Sequence, residues 1–232
     1  MVSFPRIKIC LVALVSGLGV AGSSSAAVLL ATDFSGRTVA GKTANNVIWT
    51  QNGLSAPSSL TAVDEVPTSG AFTALFDTPN AQGHFAPDKN IGNEGPWSMT
   101  VPLTLTSPSV SLESIDIDWQ HFGNSGTFQG PARPVRWTVT VTGSSSGLLD
   151  TVIGAANATS GIENLAFTSA LSLTDAETYD VRFFVENDNN TIGNNTGFDG
   201  LTFNGEVIPE PGAVAFLGIA AAGLLMRRRR RA

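Results

Sequence analysis

Between residues 27 and 206 the chain alternates apolar and polar positions again and again. Val135–Val141 puts Val135, Trp137, Val139 and Val141 on one face. Ser114–Gln120 does the same with Ile115, Ile117 and Trp119, leaving Ser114, Asp116 and Asp118 opposite. Tyr179–Val185 and Leu201–Phe203 add two more such runs. Further segments rich in Val, Ile, Thr, Leu and Phe lie at Val28–Phe34, Asn46–Thr50, Ala71–Phe76, Met99–Leu105, Leu148–Ile153 and Leu165–Leu173. A period of two is the period of a half-buried strand. Clusters of Gly, Pro, Asn and Ser separate the runs, as turns between strands require. The pattern predicts about ten strands and an all-β fold, a jelly-roll-like β-sandwich over residues 27–206. A short turn is expected at Thr174–Glu177. No helical period of comparable strength precedes Gly212. Roughly 180 residues suffice for one substantial core.

The two ends follow a different pattern. Arg6 and Lys8 precede the apolar run Ile9–Val20, and small residues follow at Ser24–Ala27. This is the layout of a secretory signal peptide, residues 1–26, read by the Sec translocon. The single cysteine, Cys10, falls inside it. The mature chain would then carry no disulfide, no Cys metal site and no Cys nucleophile. At the other end, residues 207–232 hold Pro209, Glu210 and Pro211, the apolar run Gly212–Met226, and Arg227, Arg228, Arg229, Arg230 and Arg231. The two prolines favour an extended backbone, which suits a processing enzyme's cleft. As a helix the apolar run would span about 22 Å, short of a hydrocarbon core of about 30 Å. The arginines cannot enter a core, but they can snorkel to a headgroup layer. They are expected to hold the cytoplasmic side of the inner membrane, with the rest of the chain outside.

Pro-Glu-Pro, a short apolar helix and a terminal arginine cluster, in that order, resemble the PEP-CTERM sorting signal of Gram-negative bacteria. The resemblance covers Val207–Ala232. It implies export across the inner membrane and transient or stable anchoring there. It further implies recognition by an exosortase-type processing enzyme and final residence at the cell surface or in the extracellular matrix. The family is associated with exopolysaccharide and biofilm, so polysaccharide is an expected partner. The resemblance implies nothing about the fold of the central domain.

Charge narrows the partners. Charged residues make up 14% of the chain, against roughly 25% in an average globular protein. Residues 27–208 hold six basic and 18 acidic side chains, a net charge of −12. Nucleic-acid binding needs a basic footprint, and so no nucleic acid is expected.

Candidate chemistry is sparse, and no catalytic residue is assigned. Asp116 and Asp118 share one strand face about 7 Å apart. They read as the solvent side of an amphipathic strand, as a contact for a sugar or calcium, or as a carboxylate pair. Ser114–Asp118 is similar to the Glu-Ile-Asp-Ile-Glu strand of laminarinase-like jelly-roll glycosidases. It departs where that family keeps its nucleophile (here Ser114) and its acid/base (here Asp118, shorter by a methylene). A non-enzyme is therefore expected, with an extracellular glycan-active enzyme as the alternative. The loop 186–200 is rich in Asp, Asn and Gly. Glu186, Asp188 and Asp199 in it could supply charge to calcium, although the spacing is not that of an EF-hand and such residues also build turns. No other cofactor is expected. His84 and His121 are too few for a zinc site without carboxylate help. Gly143–Gly147 matches Gly-x-Ser-x-Gly formally but reads as a hairpin loop between strands. Trp49, Trp97, Trp119 and Trp137 are the aromatic candidates for stacking on a sugar ring; Trp119 and Trp137 fall on apolar faces and read as core, and Trp97, after Gly95-Pro96, is the best candidate for an exposed, loop-borne platform. Gly197–Phe203 resembles the last strand of many secreted jelly-roll domains.

Overall fold

The computed structural model describes residues 26–65, 72–77, 84–88, 96–123, 126–128, 132–187 and 195–209. Residues 1–25 of the signal segment, Glu210, Pro211, the apolar run Gly212–Met226 and the arginine cluster lie outside them.

The described residues are all-β. In chain order the strands are β1 (Ala27–Thr32), β2 (Thr38–Ala40), β3 (Thr43–Asn45), β4 (Thr50–Gln51), β5 (Leu54–Ser55), β6 (Leu60–Asp64), β7 (Ala74–Leu75) and β8 (Pro87–Asp88). There follow β9 (Trp97–Leu105), β10 (Ser109–Phe122), β11 (Arg133–Gly143), β12 (Gly147–Ala158), β13 (Ser160–Thr174), β14 (Tyr179–Asn187) and β15 (Asn195–Val207). Fifteen strands therefore replace the expected ten, six of them only two or three residues long. Eight of the expected segments fall on long strands. The other two shrink. Asn46 adopts a positive φ of 59° and breaks Asn46–Thr50, so that only Thr50 enters a strand. Of Ala71–Phe76, Ala74 and Leu75 alone are in a strand among the described residues. Leu60–Asp64 is a strand that the pattern reading passed over, because Ala62 marks its apolar face only weakly.

Pairing is antiparallel throughout. One sheet has the order β13-β10-β15-β1-β4 and the other β12-β11-β14-β9-β6-β3-β2, with β5 beside β9 and β7 paired with β8. From β9 onward each long strand crosses to the other sheet, except at the β11–β12 hairpin. That hairpin turns through Gly147, with φ of 75°. Glu177 holds the turn by accepting hydrogen bonds from the backbone N–H of Ser145 (2.8 Å) and Ser146 (3.0 Å). The hairpin reading of Gly143–Gly147 therefore stands.

The sheets pack face to face through one apolar layer. Trp119 of β10 meets Trp137 of β11 across the interface, with ring centroids 5.1 Å apart. Phe183 of β14 meets Phe198 (5.7 Å) and Phe203 (6.4 Å) of β15. Each of these aromatic rings is buried. Gly205 of β15 sits where a Cβ would lie 1.8 Å from the carbonyl oxygen of Ser111 on β10, so only glycine allows the two strands this close approach.

Truncating the Trp119–Trp137 contact should therefore open a cavity at the centre of the sandwich. Trp119→Ala is expected to cost about 3–5 kcal/mol in urea unfolding. Ile153→Ala, at an exposed position on β12, should cost no more than about 0.5 kcal/mol.

Candidate functional site

Because Ile115, Ile117 and Trp119 point inward, strand alternation sends Ser114, Asp116 and Asp118 to the outer face of the five-stranded sheet. There they meet β15 on one side and β13 on the other. Asp118 lies opposite Gly200 of β15 and Ile162 of β13. Gly200 leaves room above the strand: a Cβ there would come 3.1 Å from the Thr32 carbonyl oxygen and 3.6 Å from the Asp118 Cβ. The result is a groove of about 560 Å³ across β13, β10, β15 and β1. Its rims are Ile162 and Ile48, both largely exposed. Asp33, Asp116, Asp118 and Asp199 all line it.

Each carboxylate has a different setting. Asn164 lies directly opposite Asp116 and donates to its Oδ1 at 2.5 Å, while Asn204 donates to Oδ2 at 2.8 Å. The same two amides reach the Ser114 Oγ at 3.3 and 3.5 Å. Asp116 is thus fixed in position by neutral donors. Asp33 accepts from the Ser35 hydroxyl (2.6 Å) and backbone N–H (3.0 Å), and these hydrogen bonds hold its carboxyl below the usual range. Asp199 pairs with the His84 ring. Asp118 has the opposite bias: burial, and then the neighbouring Asp199, push its carboxyl above the usual range, against a smaller pull from His84.

The structure thus brings Asp116, Asp118 and Asp199 into one groove. Other predicted residues lie elsewhere. Trp97 is no loop platform: it is the first residue of β9, 6% exposed, with its ring 5.4 Å from Phe198 and 5.9 Å from Phe85. The core claims it because Phe85 and Phe198 form a backbone bridge against which an indole packs. Trp49 is half-buried, and its indole N–H donates to the Pro57 carbonyl at 3.0 Å. Glu186 sits on β14, in the sheet opposite to that of Asp199, and Asp188 lies outside the described residues. No group of three or more His, Cys, Asp or Glu side chains is placed to hold a metal ion among the described residues. His121 is buried, with Nδ1 3.0 Å from the Thr196 hydroxyl, and burial lowers its pKa. Pro209 is exposed, beyond the end of β15 at Val207.

Sequence reasoning missed Asn164, Asn204, Asp33 and the rims Ile48 and Ile162. The two asparagines are outward polar residues on their strands, but only the pairing register aims them at Asp116.

No protein-family model and no curated protein matches the sequence. Solved structures with a similar arrangement include a family 11 carbohydrate-binding module from Clostridium thermocellum bound to a β-1,3-1,4-mixed-linked tetrasaccharide. It shows 11% identity over 76% of this chain and 96% of that one, with a TM-score of 0.32. Another is an isomalto-dextranase of Arthrobacter globiformis T6 with panose, at 12% identity over 76% and 32% of the two chains and a TM-score of 0.35. A third, TmCBM61 with β-1,4-galactotriose, shows 12% identity over 73% and 88%, with a TM-score of 0.29. At such scores none of them bears on the function of this chain.

The raised carboxyl of Asp118 carries a signed stability effect. A folded-state pKa above the unfolded value gives stability that is fully present below the unfolded pKa and lost as pH rises through the folded one. At neutral pH the ionised Asp118 therefore destabilises the fold. Asp118→Asn should raise the urea midpoint at pH 7, and the gain should vanish below about pH 3.9. An equal gain at both pH values would contradict this setting for Asp118.

Proposed function

We propose that this chain is an exported, non-catalytic protein that binds polysaccharide in the β10–β15 groove and is sorted by a PEP-CTERM tail. The observation that carries the binding half is Asp116. Its two oxygens are aimed and held by Asn164 and Asn204 at the floor of an open groove. A pre-positioned carboxylate is a strong acceptor for the hydroxyl groups of a sugar, and little ordering entropy remains to be lost on binding. Ile48 and Ile162 supply apolar rims for the faces of sugar rings. The domain is a jelly roll on this reading. Its eight principal strands (β1 and β9 to β15), numbered consecutively, run 6-3-8-1 in one sheet and 5-4-7-2 in the other, which is the order of two nested Greek keys.

A non-catalytic role is favoured by Ser114. A glycosidase of this strand type would need a nucleophilic carboxylate there. Instead the hydroxyl is engaged by the same two amides that hold Asp116. One observation favours the alternative, a glycan-active enzyme: the upward bias of Asp118 suits a general acid.

Retardation of the full-length protein in native gels containing polysaccharide tests the binding half. Wild type should be retarded, and Asp116→Asn should weaken the interaction about tenfold. Equal mobility in every polysaccharide gel would refute it. Hydrolysis that is present in wild type and lost in Asp118→Asn would replace this reading by the enzymatic one.

The sorting half rests on the sequence of the tail and on the exposure of Pro209 past the last strand. In this reading a signal peptide takes the chain through the Sec translocon. The arginines then hold it at the inner membrane until an exosortase acts, and the domain reaches the surface or matrix. Intact mass of the protein from its native host should show loss of residues up to about Ala26 and a new C-terminus near Pro209–Pro211. A membrane species that retains Arg227–Arg231 would make the tail a standing anchor instead.

A further inference from the structure

Past Asp118, the outward positions of β10 are Gln120 and Phe122. Phe122 is fully buried although it sits on the outer face. Three rings cover it: His84 at 5.2 Å, Phe128 at 5.4 Å and Phe76 at 6.1 Å. Just before Phe128 the Gly123 N–H donates to the Thr127 carbonyl at 2.8 Å, and Gly126 has φ of 72°. Phe128 bridges back to Phe122 and stands edge-on to His84, with centroids 5.1 Å apart. Even so, Phe128 keeps 49% of its surface exposed. His84 in turn contacts Asp199 in the groove. A half-exposed phenyl ring therefore stands beyond the groove lining, one imidazole away from Asp199.

The charge of the groove complements this ring. Four aspartates line the groove, and no lysine or arginine does among the described residues. Asp116 is held by neutral amides and Asp33 by Ser35. The one group near them that can become cationic, among the described residues, is His84, which contacts Asp199 and exerts a smaller pull on Asp118. Carboxylates left without cations attract a cationic ligand and repel an anionic one. A cation is also favoured over the face of an aromatic ring.

Resting on the glycan reading, we infer that the occupant is a polysaccharide bearing free ammonium groups, with one of its sugar rings stacked on Phe128. The aspartates bind the amino groups of the chain, and Phe128 sets where its end lies. A uronic-acid or sulfated glycan is excluded by the same carboxylates.

Isothermal titration calorimetry of the full-length protein separates this from the broader reading. The probes are a β-1,4-linked glucosamine hexamer, its fully N-acetylated counterpart and an oligogalacturonate. The glucosamine hexamer should bind about tenfold more tightly than the acetylated one, with affinity falling as salt rises. The oligogalacturonate should not bind. Phe128→Ala should weaken the glucosamine hexamer about fivefold, and Phe128→Trp should restore it. The unfolding midpoint of each variant confirms that the domain is intact, since Phe128 is half exposed. Equal affinity for the amino and acetylated hexamers would overturn the charge selection while leaving a glycan groove. Unchanged binding by a folded Phe128→Ala would overturn the platform. Binding of none of the three probes by wild type would overturn the inference, while the retardation gels judge the broader reading separately.

Discussion

The aromatic contact between the two sheets sets everything else. Trp119 against Trp137, and Phe183 against Phe198 and Phe203, join strands of opposite sheets in one buried layer. Once Trp119 is committed inward, the pleat of β10 leaves Asp116 and Asp118 no choice but the outer face. A slip of one residue would bury both carboxylates and expose Ile115, Ile117 and Trp119, at a cost no fold of this size can bear. The packing that holds the sandwich together thus also aims the groove.

The groove itself combines rigidity with unbalanced charge. Cross-strand neighbours do the positioning: Asn164 faces Asp116, Asn204 faces Ser114, and Gly200 leaves space opposite Asp118. These partners are neutral, so they orient the carboxylates without neutralising them. The burial of Asp118 beside Asp199 is correspondingly unfavourable for its ionised form. Such a setting lowers stability at neutral pH, and it is relieved when a donor or a cation enters. Just past β6 at the other sheet, Glu65 accepts from the Ser98 hydroxyl and from Arg182 at 2.6 Å, and these contacts, Ser98 first, hold its carboxyl below the usual range. A glutamate paired with an arginine near one sheet thus contrasts with aspartates on the other that lack lysine or arginine partners in the groove lining.

Much of this was legible in the sequence. Period-two runs located β10, β11 and β14, because each has large apolar residues at every second position. The same alternation put Asp116 and Asp118 on one face. The short strands were not legible: β2, β3 and β4 are paired by context rather than by pattern, and Asn46 interrupts its run with a left-handed backbone. The site was legible only in part. Asn164 and Asn204 look like any outward polar residue until the register places them beside Asp116. Trp97 misled because its flanking Gly95-Pro96 reads as a loop, whereas tertiary packing on Phe85 and Phe198 decides its burial. Phe128 did leave a trace. An aromatic residue within Gly123–Gly130, among Gly, Asn, Ser and Thr, is an apolar residue where turn formers dominate.

On the proposed function, a glycan sits on the outer face of β10 and β15. Methyl and side-chain-amide NMR of the full-length protein during titration with a polysaccharide fragment tests it directly. The signals of Ile48, Ile162, Asn164 and Asn204 should shift together and saturate together, while Ile153 and Leu148 on β12 of the other sheet stay still. Shifts confined to the β12 face, or none at any of the four groove residues while the fragment is bound, would contradict it.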